Sequence, residues 1–205
     1  MSQIVIKLNL TSYWHIGSGE EGGSYADALV LKDRHGLPYV PGKSLKGLFR
    51  DAFEKASQAN WFAEETVALL FGQEGEQGTS SQGVLQFSNA CLSQSEIAFF
   101  TQPDIGASAK EQLYKVIQST KINQNGVAEE GSFRAIEVAV PMALEAHISL
   151  NTQHDAYSNV LNLINNNLLD AFNKTSVFIT ALGAKRQRGY GAVEITVDVS
   201  KEVAA

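Results

Sequence analysis

The chain has 205 residues, 44% of them hydrophobic and 19% charged, which is the composition of one globular domain with a sizeable core. Its formal net charge of −6 argues against a protein that binds nucleic acid over its whole surface. A single cysteine excludes an intramolecular disulfide, and no apolar run is long enough to span a membrane, so we expect a cytoplasmic protein with no membrane contact.

The first elements can be read from simple patterns. Apolar residues occupy every second position from 4 to 10, which predicts a β-strand over residues 3–10. The polar, glycine-rich segment at residues 17–24 predicts a loop. Two short apolar runs flank residues 33–36, where Gly36 can supply a positive φ, and this pattern predicts a hairpin.

Residues 38–56 predict the helix around which the chain is organised. Pro41 and Gly42 indicate a turn, so the helix is predicted to start near Ser44, whose hydroxyl can cap an amide of the first turn. One buried face is predicted by the helical spacing of Leu45, Leu48, Phe49, Ala52, Phe53 and Ala56.

The same helix carries basic residues away from its apolar face. Lys43, Lys46 and Arg50 supply positive charge, and Gly47 leaves room for a ligand to approach the backbone. With the exposed amides of the helix start, they favour a phosphate-bearing ligand. Gly-Lys-Ser is not a nucleotide-hydrolase phosphate loop, because Leu37 stands where that motif needs glycine. The alternative is an ordinary solvated surface.

The later elements complete an α+β pattern. In order, we predict a helix at 61–71 ending at Gly72, a mobile loop at 73–82, a strand at 83–92, a helix at 109–118, a polar insertion at 121–132, a strand at 143–150, a helix capped by Ser158 that includes residues 160–172, and a strand at 193–197. This alternation is typical of a ferredoxin-like core with an antiparallel sheet.

A second basic segment lies just before the last strand, at residues 182–191. Its three glycines allow close approach to a ligand, and Lys185, Arg186 and Arg188 can neutralise phosphates. Tyr190 offers a face on which a base can stack, so the segment favours single-stranded nucleic acid. An ordinary turn with solvated charges is the alternative.

These segments together resemble one family, the RAMP proteins, and specifically the backbone subunits of type III CRISPR effector complexes (the Csm and Cmr assemblies). The resemblance covers most of the chain in order. It rests on His-Ile-Gly at 15–17, Asp-Ala-Leu-Val-Leu-Lys-Asp at 27–33, the block at 36–50 containing Pro-Gly-Lys-Ser-Leu-Lys-Gly, Leu-Phe-Gly at 70–72, Arg-Ala-Ile-Glu at 134–137 and the glycine-rich loop at 183–191.

The resemblance implies an RNA-recognition-motif-like core in an antiviral complex whose partners are the guide RNA (crRNA), a complementary target RNA, copies of itself along the guide and other type III subunits. It also implies an inserted hairpin, the thumb, within residues 121–141, with Phe133 and Ile136 as wedges between bases. At Asn123 the chain departs from the acidic residue that family members often carry. The predicted RNA contacts are His15, Lys43, Ser44, Lys46, Gly47, Arg50, Phe133, Arg134, Ile136, Lys185, Arg186, Arg188 and Tyr190.

Asp27 matches the residue with which this family cleaves target RNA in a metal-dependent reaction. A carboxylate holding Mg²⁺ or Mn²⁺ could neutralise charge that develops as a ribose 2′-hydroxyl attacks the adjacent phosphate. The resemblance therefore implies an endoribonuclease with Asp27 as both catalytic residue and metal ligand. From the residues alone, the favoured interpretation of Asp27 is a loop residue that caps a turn.

His15 raises a different possibility, because RAMP relatives that process precursor CRISPR RNA use histidine for metal-free acid–base cleavage. Its His-Ile-Gly context is typical of backbone subunits and favours a structural or RNA-contacting role. Three functions therefore stay open: a guide-binding subunit that also cleaves target RNA, a non-catalytic structural subunit, and a stand-alone precursor-processing ribonuclease.

Overall fold

A computed structural model describes residues 3–61, 63–73, 81–155, 157–158, 160 and 168–200. In chain order, the described elements are β1 (Gln3–Leu10), α1 (Gly42–Gln58), α2 (Glu64–Phe71), β2 (Gly72–Gln73), β3 (Ser81–Gln82), β4 (Leu85–Phe87), α3 (Gln94–Phe100), α4 (Gly106–Glu111), β5 (Tyr114–Ser119), β6 (Arg134–Ala139), β7 (Met142–Leu150), α5 (Leu168–Ser176) and β8 (Val193–Ser200). None of these helices is long and apolar enough to cross a membrane.

An antiparallel sheet with the strand order β4-β7-β1-β8 forms the centre of the chain. The alternation in β1 places Ile6 and Leu8 in the core, where Ile6 pairs with Ala146 of β7 and Val197 of β8. The strands predicted at residues 3–10, 143–150 and 193–197 are confirmed, because a period of two fixes which face of each strand is buried.

Helices α1 and α5 cover one face of this sheet. The buried residues of α1 are those that the helical spacing predicts, with Leu48 only half-buried. Phe49 and Phe53 each pack edge-on against Phe172 of α5, with ring centroids 5.1 Å apart in both pairs. This aromatic cluster fixes α1 against the core and so determines which of its flanks remain accessible.

The start of α1 differs from the prediction. The helix begins at Gly42 after Pro41, and Ser44 does not cap it. Instead, the Gly42 amide donates to Asn89 Oδ1 at 2.9 Å. A residue distant in the sequence therefore accepts a hydrogen bond from one of the amides that the first turn of the helix leaves unpaired. Gly42 is also required sterically, because a Cβ there would lie 2.2 Å from the Phe87 carbonyl oxygen.

The region after β4 contains the main error in the predicted secondary structure. The helix predicted at 109–118 is wrong, because α4 ends at Glu111 and the chain continues as β5, which pairs with β6. Helix α3 was not predicted, although Ser93 and Glu96 form a capping box at its start. Pairing of residues 114–119 with β6, the next strand along the chain, overrides their local helical pattern.

Other boundaries shift by smaller amounts. Helix α2 starts at Glu64 rather than 61, and it ends as predicted at Gly72, whose φ is 91°. The strand predicted at 83–92 is limited to β4. Most of the predicted mobile loop, residues 74–80, and residues 161–167 of the last predicted helix lie outside the described residues.

Strands β5 and β6 form a second, two-stranded sheet whose tip at residues 120–132 is largely exposed. Residues 135–139, by contrast, are buried. The predicted thumb at 121–141 therefore combines an exposed tip with a strand that belongs to the protein core. The pairing of Ile136 with Ala28 connects this strand to the loop that carries Asp27.

Candidate nucleic-acid interface

Asp27 is fixed on the edge of β6 by its backbone and its side chain. Its amide donates to the Ala135 carbonyl oxygen at 2.8 Å, and its Oδ2 accepts from the Ala135 amide at 2.7 Å. The residue is exposed, and Oδ1 has no hydrogen-bond partner among the described residues. The carboxylate thus has one oxygen that holds the loop and one that faces solvent.

Glu137, two residues further along β6, is the hub of the site, with only 2% of its surface exposed. Its carboxylate accepts from the Val30 amide at 2.9 Å, from Lys32 Nζ at 2.9 Å and from the Tyr25 hydroxyl at 3.4 Å. These bonds, with that from the Glu137 amide to the Ala28 carbonyl, dock residues 25–32 against β6. The segment that presents Asp27 is therefore held from both ends.

Two tyrosines line this ionic cluster. The ammonium of Lys32 lies 4.1 Å from the ring centroid of Tyr114, whose hydroxyl donates to the Gly36 carbonyl at 2.7 Å. Burial, followed by the negative charge of Glu137, raises the pKa of both Tyr114 and Tyr25. The tyrosines therefore act as neutral hydrogen-bond donors at physiological pH.

Glu137 belongs to the Arg-Ala-Ile-Glu motif at residues 134–137, but its role as the centre of this hydrogen-bond cluster was not predicted. A signal was present, because Glu137 is the one charged residue in the apolar run at residues 135–142. A carboxylate inside a buried strand is expected to have a cationic or hydrogen-bonding partner.

His15 is buried beside the same strand. Its Nδ1 lies 2.7 Å from the Glu137 carbonyl oxygen, and because a carbonyl only accepts, Nδ1 carries the proton. The His15 carbonyl accepts from the Ala184 amide at 2.8 Å, and a Cβ at Gly183 would lie 2.4 Å from that oxygen. His15 therefore joins β6 to the glycine-rich loop, which accounts for a structural role.

The glycine-rich loop forms one wall of a groove of about 460 Å³, with α1 as the opposite wall. Gly183, Arg186 and His15 line one side, and Ser44 and Gly47 line the other. A Cβ at Gly47 would meet no atom within 4 Å, so the helix backbone is open to a ligand there. Predicted contacts from both basic segments thus meet in this groove.

Positive charge gathers where this loop approaches β6. Lys185 adopts a left-handed conformation with a φ of 57° ahead of a short 3₁₀ turn at Arg186–Arg188. Its pKa is lowered, first by burial and then by the positive charges of Arg188 and Arg134. Three cations from two elements are therefore close enough to repel one another, an arrangement that an anionic ligand would relieve.

The lysines of α1 do not join this cluster. Lys43 and Lys46 line a separate hollow against β4, on the opposite flank of the helix from Ser44 and Gly47. Lys46 Nζ donates to the Leu85 carbonyl oxygen at 3.1 Å, and burial, followed by the charge of Arg50, lowers its pKa. The lysines of α1 and Arg186 of the glycine-rich loop therefore line two different hollows.

The remaining predicted contacts fall in different environments. Arg50 pairs with Glu54 at 2.8 Å on the surface of α1. Phe133 is 62% exposed, whereas Ile136 is only 7% exposed and packs within β6. Ile136 is therefore a core residue and cannot wedge between bases. Tyr190 is half-buried at the end of the glycine-rich loop.

The described residues contain no cluster of three His, Cys, Asp or Glu side chains that could hold a metal ion. Asp27 offers one accessible oxygen, and Mg²⁺ in proteins is bound through one or two carboxylates together with phosphate oxygens and water. The site therefore fits a cation shared with an RNA phosphate, and it does not fit an ion that the protein holds alone.

A family model described as the RAMP superfamily matches residues 7–194. No curated protein matches the sequence.

Two solved structures share the fold. A chain of the type III-B Cmr-beta bound to cognate target RNA is 12% identical, with a TM-score of 0.67 over 96% of this chain and 97% of that chain. A chain of the type III-B Cmr-beta in the apo state is 14% identical, with a TM-score of 0.66 over 99% and 98%.

Proposed function

Because the chain belongs to the RAMP superfamily, we propose that it is a guide-RNA-binding backbone subunit of a type III CRISPR effector complex. The observation that carries this proposal is the groove between α1 and the glycine-rich loop, which Arg186 lines and next to which the same loop carries Lys185 and Arg188. Phosphates along a guide strand would relieve the mutual repulsion of these charges. The likeness to chains of a type III-B assembly, one of them bound to target RNA, supports the same assignment.

The topology supports a ferredoxin-like core of the RNA-recognition-motif type. The central sheet contains four strands, which follow one another in the sequence as β1, β4, β7 and β8. In space they lie in the order β4-β7-β1-β8, so the second strand is at one edge, followed by the third, the first and the fourth. Helices α1 and α5 follow the first and third of these strands, as a β-α-β-β-α-β unit requires. The exposed tip at residues 120–132 is then the thumb, which contacts the RNA or a neighbouring subunit.

RNA binding can be tested on the isolated chain with a labelled single-stranded oligouridine at several salt concentrations. Replacing Lys185 and Arg188 by Ala should weaken binding and flatten the slope of log K against log salt by about 1.4, at about 0.7 per phosphate contact. Replacing the exposed Lys7 and Lys174 by Ala removes the same charge elsewhere and should leave the slope unchanged. Equal slopes for both double variants would contradict the proposed interface.

We further propose that Asp27 cleaves the target RNA within the assembled complex. A divalent cation shared between Asp27 and an RNA phosphate would neutralise the charge that develops at the phosphorus. The chain contributes an exposed carboxylate oxygen at a position fixed by Ala135 and Glu137. The negative charge of Asp27 is therefore in position before the reaction begins, and no rearrangement of the protein is needed to bring it there.

The non-catalytic subunit remains the second candidate, because the bond from the Ala135 amide to Asp27 Oδ2 gives Asp27 a structural use. Asp27→Asn separates the two roles, since the amide oxygen can keep that bond while the charge is lost. Cleavage by assembled complex in Mg²⁺ or Mn²⁺ should fall by orders of magnitude in Asp27→Asn, with target binding retained.

The matched control is Asp33→Asn, which can keep the bonds from the His35 and Leu37 amides to Asp33 Oδ1 and should cleave normally. If Asp27→Asn also cleaves normally, the structural role of Asp27 is the correct one. Co-purification of several copies of the chain with one guide RNA would exclude the stand-alone precursor-processing ribonuclease.

A further inference from the structure

The groove between α1 and the glycine-rich loop does not end at Ser44 and Gly47. Next to it along α1 lies a second hollow of about 380 Å³, and Leu48, Asp51 and Arg186 line both hollows. The combined groove follows α1 as far as Lys55. The twelve residues from Ser44 to Lys55 span roughly 16 Å at a rise of about 1.5 Å per residue, enough for several stacked nucleotides at about 3.4 Å each.

An exposed aromatic pair stands at the far end of this groove. Phe178 lines the second hollow, and the ring of Trp61 lies 5.6 Å from that of Phe178. Trp61 is 48% exposed and Phe178 is 39% exposed, so both rings present uncovered faces or edges to solvent. The Trp61 amide donates to the Ala56 carbonyl at 2.9 Å, which fixes the backbone of Trp61 at the end of α1.

Two positively charged side chains in this part of the groove favour an anionic ligand. Lys55 and Arg186 line the hollow and are both exposed, whereas Asp51 is the acidic residue shared by the two hollows. Aromatic rings next to a cation-lined groove are the arrangement with which proteins bind single strands without sequence preference, because every base has a face that can stack.

We propose that Trp61 and Phe178 form a base-stacking subsite for single-stranded RNA at the end of this groove. Lys55 and Arg186 contact the adjoining phosphates. The subsite rests on the proposed RNA-binding function and extends it, since it places an RNA contact beyond the glycine-rich loop. A hydrophobic contact with a neighbouring protein is the competing use of the same rings.

The test compares variants of the full-length chain in their binding to a labelled oligouridine. Trp61→Leu keeps apolar surface but removes the ring, so affinity should fall roughly tenfold, within the range measured for single stacked bases. Trp61→Phe should restore most of the loss. The salt slope should not change in either variant, because no charge is removed, whereas Lys55→Ala should flatten it by about 0.7.

Tryptophan fluorescence gives an independent readout. Trp14 is fully buried and donates to the Val140 carbonyl at 3.0 Å, so acrylamide quenches mainly Trp61. Saturating oligouridine should protect this fluorescence from acrylamide. The control is Phe99→Ala, which removes a 43% exposed ring that packs edge-on against the half-buried Phe100 on α3, and should leave RNA affinity unchanged.

The outcomes distinguish this proposal from the broader one. If wild-type chain binds RNA and the Lys185 and Arg188 double variant is impaired, but Trp61→Leu binds as wild type, the subsite is wrong and the RNA-binding function stands. If Trp61→Leu changes only self-association in sedimentation, the rings are a protein contact and the subsite is again wrong. Absence of RNA binding by the wild-type chain would overturn both.

Discussion

Replacing Glu137 by Gln should destabilise the protein by about 3 kcal/mol. The buried carboxylate accepts bonds from Val30, Lys32 and Tyr25, and an amide offers one oxygen to these three donors while its NH₂ group faces another N–H or O–H. A hydrogen bond to a charged group contributes about 1.5–3 kcal/mol. Losing the charge next to Lys32 adds only about 1 kcal/mol, because that side chain is 34% exposed and water screens it.

Urea unfolding followed by circular dichroism measures this change directly. For a chain of this size, about 3 kcal/mol also corresponds to a fall in Tm of roughly 6–12 °C. Glu54→Gln is the matched control, since its ion pair with Arg50 at 2.8 Å is partly exposed, with side chains 34% and 45% accessible, and its loss should cost less than about 1 kcal/mol.

A double-mutant cycle tests how much of the lost stability comes from the contact between Glu137 and Lys32. Lys32→Met keeps an apolar chain next to Tyr114 and removes the charge, so combining it with Glu137→Gln should cost less than the sum of the two single changes by about 1 kcal/mol or more. Additive effects, or a loss below about 0.5 kcal/mol for Glu137→Gln alone, would refute the view that Glu137 holds the Asp27 segment in place.

Three further outcomes follow from particular contacts. The Asn173 amide bonds to both the N–H and the C=O of Val197 on the edge strand β8, so Asn173→Ala should promote self-association, measured by sedimentation velocity. Burial, with the nearby charge of Glu137, raises the pKa of Tyr114, so above pH ~10 the folded chain retains a proton that the unfolded chain loses. The free energy of unfolding should therefore fall as pH rises through that range, and Tyr114→Phe should flatten the decline. Asp51→Asn removes the acidic side chain from the groove between α1 and the glycine-rich loop and should tighten oligouridine binding, with unchanged affinity as the contradicting result.

The sequence by itself determined the elements that bury one face. Strand β1, the core face of α1 and strands β7 and β8 follow from apolar periodicity, which depends only on neighbouring residues. The family was also identified from motifs that span most of the chain, and the match of the RAMP superfamily to residues 7–194 confirms it.

Tertiary structure decided how these pieces form a site. Glu137 contacts Val30 and Lys32, which are 107 and 105 positions away in the sequence. Contacts over such separations produce no periodic pattern among neighbouring residues, so they cannot be predicted from the local sequence. The same holds for β5, because pairing with β6 made a strand of residues whose local pattern resembled a helix.

The rotation of α1 about its own axis is the feature that the sequence could not determine. Adjacent residues on a helix differ by about 100°, so Lys46 and Gly47 were certain to face different directions. Which of the two faces the glycine-rich loop depends on how α1 packs through Phe49 and Phe53 against α5. That packing turns Gly47 to the groove and Lys46 to β4, because burial of the aromatic side chains fixes the rotation of the helix.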